Sequence, residues 1–93
     1  MNQQIDVHGM GPHEYAVTVT EGTDTTHHRV VVGEELLDDL GAVEPDEIEI
    51  VHESIAFLLE RETGDGLADT ISLDRIGDDY DDYLPELQSR LSF

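Results

Sequence analysis

The alternation Tyr15-Ala16-Val17-Thr18-Val19-Thr20, with the turn Glu21-Gly22-Thr23-Asp24 and the β-rich run Thr25 to Val32, constrains this chain more than any other feature. Successive strand side chains point to opposite faces, so Tyr15, Val17 and Val19 project one way and Ala16, Thr18 and Thr20 the other. Setting Thr20 opposite Thr25 places Tyr15 across from Val30 and Val17 across from His28. One face then carries Tyr15, Val17, Val19, His28, Val30 and Val32. The other carries Glu14, Ala16, Thr18, His27, Arg29 and Val31. A slip of one residue would turn the apolar set to solvent, so the register is strongly specified.

Ile5 and Val7 join the apolar face if a three- or five-residue loop forms around Gly9-Met10-Gly11-Pro12. The expected sheet is a three-stranded antiparallel meander with one face to be covered. Gly33 to Gly41 reads as a two-turn helix with acidic residues at its positive end and a Gly stop. Pro45 suits the first position of a longer helix that runs by periodicity to about Glu62. On it Ile48, Val51, His52, Ile55, Leu58 and Leu59 form one stripe, and Glu49, Glu53, Ala56 and Glu60 face solvent. Ile50 and Phe57 form a second, narrower stripe, which implies a second partner: the C-terminal segment or another subunit. These two residues are the interface candidates.

Thr63-Gly64-Asp65-Gly66 ends the long helix and opens a loop. Ser72 can cap a short helix from Leu73 to Ile76 that stops at Gly77, and Pro85 starts a last amphipathic turn with Leu87 and Leu91 inward. The fold expected is α+β: a three-stranded antiparallel meander packed on one long helix, with short flanking and C-terminal helices. Residues 1–93 form one domain.

Composition bears on the solvent. The 93 residues include 23 Asp and Glu against four Arg and no Lys, for a formal charge of −19. Such a chain repels itself in dilute buffer, whereas at molar salt the screening length falls to about 3 Å. Short carboxylates also hold water where water is scarce, so the balance is that of a protein from a salt-accumulating cytoplasm. Cysteine is absent, which removes disulfides and thiolate chemistry. The N-terminus has neither a basic cluster nor an apolar run, and the longest apolar stretch, Ile55 to Leu59, is far below the roughly 20 residues that span a bilayer. A soluble, cytoplasmic, membrane-free protein is expected.

Among groups that could carry chemistry, His27 points outward and His28 inward, and His8 lies outward beyond an intervening strand. His28 and His52 could meet between sheet and helix. No metal-ligand spacing accompanies them, so they read as hydrogen-bonded spacers. Asp78-Asp79-Tyr80-Asp81-Asp82-Tyr83 lacks the Gly and the terminal Glu of a calcium loop. It reads as a hydrated acidic segment with both Tyr packed on the core. No nucleophile elbow, phosphate loop or dinucleotide fingerprint occurs. No enzyme activity, metal or cofactor is expected.

Two resemblances add to this. A β-rich segment, a short helix, a turn and a longer helix ending in Leu58-Leu59-Glu60-Arg61 resembles the ribbon-helix-helix arrangement of small dimeric repressors over roughly residues 26–62. That resemblance implies a DNA-reading ribbon at His28-Arg29-Val30-Val31-Val32, with Thr18, His27 and Arg29 as readers. Phosphate-neutralising Lys and Arg are scarce, so this stands as the alternative. Thr26-His27-His28-Arg29-Val30-Val31-Val32, Ser54-Ile55-Ala56-Phe57-Leu58-Leu59-Glu60-Arg61-Glu62 and the tail around Leu73, Ile76 and Tyr83-Leu84-Pro85-Glu86 are similar to a family of short, uncharacterised proteins from salt-loving archaea and from bacteria. That likeness implies an α+β domain to which the tail belongs, and no activity. The function expected is a small protein-interaction module whose partner is a second copy or another protein.

Overall fold

In the computed structural model, which describes residues 3–41, 46–62 and 66–91, the central hairpin takes the register that face matching demands. Strands β2 (Glu14–Glu21) and β3 (Asp24–Val31) pair antiparallel, with Thr20 opposite Thr25, Tyr15 opposite Val30 and Val17 opposite His28. Gly22 and Thr23 close the hairpin, and Gly22 supplies the positive φ of +64° that a tight hairpin turn needs. Strand β1 (Gln3–Gly11) adds to the other side of β2, placing Ile5 across from Val19 and Val7 across from Val17. The connection is shorter than the three or five residues expected: Gly11 pairs with Glu14, and the register shift between Gly9 and Gly11 keeps Ile5 and Val7 in line with Val19 and Val17. Pro12 and His13 form the tip in the pattern of a type II turn, His13 taking a φ of +60°.

The sheet is not the expected three-stranded meander. A fourth strand, β4 (Thr70–Ser72), lies parallel to β3, with Arg29 opposite Thr70, Val30 opposite Ile71 and Val31 opposite Ser72. The order is β1-β2-β3-β4, a mixed sheet with β3 in its interior. Three residues with one apolar member are too short for periodicity to reveal. Long-range hydrogen bonds secure the strand: the Arg29 amide donates to the Asp69 carbonyl at 2.8 Å, and His28 Nδ1 donates to the Ala68 carbonyl at 2.8 Å. His28 is buried and also bonds Thr26 Oγ1 through Nε2 at 2.9 Å.

Helix α1 (Glu34–Leu40) ends at Gly41, whose φ of +68° lets its amide reach back to the Leu37 and Asp38 carbonyls. Its N-cap, Gly33, has no side chain to cap with, and Asp74 Oδ1 substitutes by accepting the Leu36 amide at 3.2 Å. A Cβ on Gly33 would fall on the Asp74 carboxylate. Helix α2 (Glu47–Leu59) is shorter than the expected Pro45–Glu62 span and begins at the Asp46 N-cap, whose side chain accepts the Glu49 amide at 3.2 Å. Pro45, and the loop expected at Thr63, Gly64 and Asp65, lie outside the described residues.

The two narrow stripes anticipated on α2 are one broad face. Ile50, Val51, Ser54, Ile55, Phe57, Leu58 and Leu59 are all buried, whereas Ile48 is 51% exposed and His52 is also exposed. Helix α3 (Leu73–Asp79) runs through Gly77 instead of stopping there, and α4 (Tyr83–Leu91) starts two residues before Pro85. Pro85 still falls in the first turn, where a missing N–H costs no helical bond. Helices α2 and α4 pack together. The core joins Val17, Val19 and Val30 of the sheet to Ile55 and Leu58 of α2, Leu73 of α3 and Leu87 of α4. No helix among the described residues is long and apolar enough to cross a membrane.

Candidate functional site

Helices cover one face of the sheet; among the described residues none covers the other. Strand alternation puts Gln4, Asp6 and His8 of β1, Glu14, Ala16, Thr18 and Thr20 of β2, and Thr25, His27, Arg29 and Val31 of β3 on this outer face. Thr18 lies opposite His27, and its hydroxyl is 3.3 Å from His27 Nδ1. Arg29 is exposed and sits against Glu14, with 3.4 Å between guanidinium and carboxylate. The three residues named as nucleic-acid readers thus share one accessible face. Their strand, however, has a neighbour on each side, so β3 is not free to build a ribbon with a second subunit.

The interface candidates Ile50 and Phe57 are 0% and 1% exposed. Of the two partners the second stripe allowed, the chain's own C-terminal segment is the one that covers it. Phe57 meets Tyr80 and Tyr83 edge-on, with ring centroids 5.7 and 5.3 Å away, and the Arg61 guanidinium stacks over it at 3.6 Å. Arg61 also donates to the Phe57 carbonyl at 3.1 Å and to Asp82 at 2.8 Å. Tyr83 is buried with its hydroxyl 2.7 Å from Ser54 Oγ, and burial pushes the phenol up to about 12.

No family model, curated protein or solved structure matches the chain.

Two other clusters bear on chemistry. Glu47 accepts the Tyr15 hydroxyl at 2.8 Å through one oxygen and His13 Nδ1 at 2.8 Å through the other. Burial first, and then this hydrogen bond, push the Tyr15 phenol up to about 12. A carboxylate-oriented imidazole is half of a catalytic arrangement. The shallow hollow beside it is completed by Gly11, Pro12, Asp46 and Ile48, with no hydroxyl or thiol nucleophile among them, and the Asp46 carboxylate accepts the Glu49 amide as the α2 N-cap. The cluster pins the β1–β2 turn to the start of α2, which also accounts for a non-glycine residue at positive φ. Nothing in the sequence marks it, because His13 and Glu47 are 34 positions apart.

The second is a groove of about 350 Å³ between α1, α3 and α4, edged by Glu35, Asp39, Asp74, Asp78 and Asp81 over a floor that includes Leu73 and Tyr83. Asp74 is committed to the α1 terminus. Among the described residues no three His, Asp or Glu side chains gather as a metal ion requires. His28 and His52 do not form a pair: the first is tied to Ala68 and Thr26, the second is exposed beside Glu53 at 3.2 Å.

Proposed function

We propose that this chain is a small, non-catalytic protein-interaction module of a salt-loaded cytoplasm, with the outer face of its sheet as the docking surface. One observation carries the reading: the carboxylates are segregated. Residues 1–33 hold only Asp6, Glu14, Glu21 and Asp24 of the 23, and the remaining 19 fall in residues 34–93. An acidic coat keeps a protein hydrated and separate in brine, so the accessible face where the coat thins to Asp6 and Glu14 is the one suited to contact. Hydroxyls, imidazoles and Arg29 paired with Glu14 offer polar pairing to a partner there, with Asp6 the one further carboxylate on the face.

The test is affinity capture in molar KCl from cells of the source organism, comparing the parent with a Thr18→Glu/His27→Glu double variant. Both positions lie outside the buried core, so the variant should fold while losing the partners the parent retains. Identical capture by the two would overturn the proposal. The ribbon-helix-helix-like alternative draws support from the alignment of Thr18, His27 and Arg29 on one face. It predicts fluorescence-anisotropy binding to duplex DNA that Arg29→Ala removes; our reading predicts no binding at any salt.

A further inference from the structure

Strand β1 is a sheet edge of an unusual kind for so acidic a chain. Among the described residues it pairs with β2 alone, so its outward row of N–H and C=O groups is open. Over nine residues, Gln3–Gly11, it carries a single carboxylate, Asp6, and none of the Lys or Pro residues that blunt natural edges. Ile5 and Val7 on its inner face are only partly covered. Among the described residues two large apolar side chains are left exposed, one on this strand and one beside the β1–β2 turn. Met10, at 56%, is on the strand itself; Ile48, at 51%, is in the first turn of α2, which packs against β1.

We infer that β1 pairs antiparallel with β1 of a second copy about a two-fold axis at Val7, joining two sheets into one of eight strands. The strand's own sequence selects this register. Centred on Val7, the midpoint of Gln3–Gly11, the pairing uses the whole strand and sets Asp6 of each copy opposite His8 of the other, twice over. Ile5 then faces Gly9, and Val7 faces its symmetry mate, so the apolar row stays on the core side. Centring on Asp6 instead would oppose two carboxylates, and a shift by one residue in a single strand would send Ile5 and Val7 to the outer face. The bulge at Met10 lies outside the five central positions. A pairing through β1 leaves the outer face free, so it goes beyond the docking surface proposed above and doubles it.

Sedimentation equilibrium of the full chain in molar KCl is the test, with the parent expected at about twice the 10.4 kDa chain mass. His8→Glu puts four carboxylates on the seam and raises the dimer dissociation constant by about tenfold or more, one unit of like-charge opposition at each of two pairs. The Asp6→His/His8→Asp exchange restores the opposite pairing and with it the dimer. Hydrogen exchange across residues 3–11 should slow as the parent's concentration rises, a readout independent of any variant's folding. A monomeric parent in molar KCl, a His8→Glu protein that dimerises as the parent does, or exchange at 3–11 that ignores concentration would each overturn the inference. Thr18→Glu/His27→Glu leaves this dimer intact, which separates the two proposals.

Discussion

Gly33 and Tyr83 are the residues whose roles are least visible from their neighbours in the chain. At φ −88°, Gly33 has a backbone that any residue adopts, so no backbone strain opposes a side chain there. The added Cβ displaces Asp74 from the α1 terminus, however, and Gly33→Ala should cost about 1–2 kcal/mol, the worth of a lost cap. In an Asp74→Ala background the same change should cost less, because no cap remains to be displaced; urea unfolding of the four proteins in a double-mutant cycle measures the difference. Tyr83 makes stability depend on alkali. Its folded pKa of about 12 lies above the ordinary 10, so its contribution is complete below pH 10. It is lost as the pH rises toward 12, because the unfolded chain releases the proton first. The loss should reach about 2–3 kcal/mol across that window. Tyr15, also held at about 12, adds a loss of the same sign, so Tyr83→Phe should reduce the slope of this part of the profile and leave the Tyr15 share, and tyrosinate absorbance should lag behind that of the unfolded chain.

At the level of elements, the sequence pattern marked what each helix and strand is better than what it touches. The β2–β3 register, the α1 stop at Gly41 and the inward packing of Tyr80 and Tyr83 were all legible, since each rests on spacing or on one residue's conformational preference. The β4 strand and the breadth of the α2 face were not. β4 exists because β3 offers it an open side and His28 fixes the approach of Ala68; α2 is broad because α4 packs along it and Tyr80 and Tyr83 close over Phe57. Two of the four arginines serve that second contact. Arg61 stacks on Phe57 and reaches Asp82, and Arg90 joins Glu60, Glu53 and Glu86. Arg61→Ala should cost about 1 kcal/mol through the lost stacking, and hydrogen exchange should rise first in α4. Phe57→Ala should cost about 3–5 kcal/mol in denaturant unfolding. Phe57→Glu, a mild change had the residue been a surface contact, should abolish folding.

For the whole molecule, 23 carboxylates against four arginines make the solvent part of the stability. Four arginines cannot balance 23 carboxylates, and the repulsion among them extends about 10 Å in 0.1 M salt but about 3 Å in 1 M. The midpoint of thermal unfolding should therefore climb steadily with KCl into the molar range, and calorimetry at fixed pH measures it. An unchanged midpoint would mean that the carboxylates are held by specific contacts. Charge is also unevenly distributed: the strands are nearly free of it and the helices crowded. That asymmetry is written in the sequence, but its meaning depends on the sheet presenting one bare face and one open edge.

The sequence alone determined the class of fold, the hairpin register and the charge, because alternation, turn chemistry and composition are local or additive properties. It could not determine which surfaces remain available. The C-terminal helices bury Phe57, β4 encloses β3, and Gly33 is matched to an aspartate 41 positions away. Each is a contact between segments distant in the chain, decided by shape and by the pairing of buried polar groups once the core has closed.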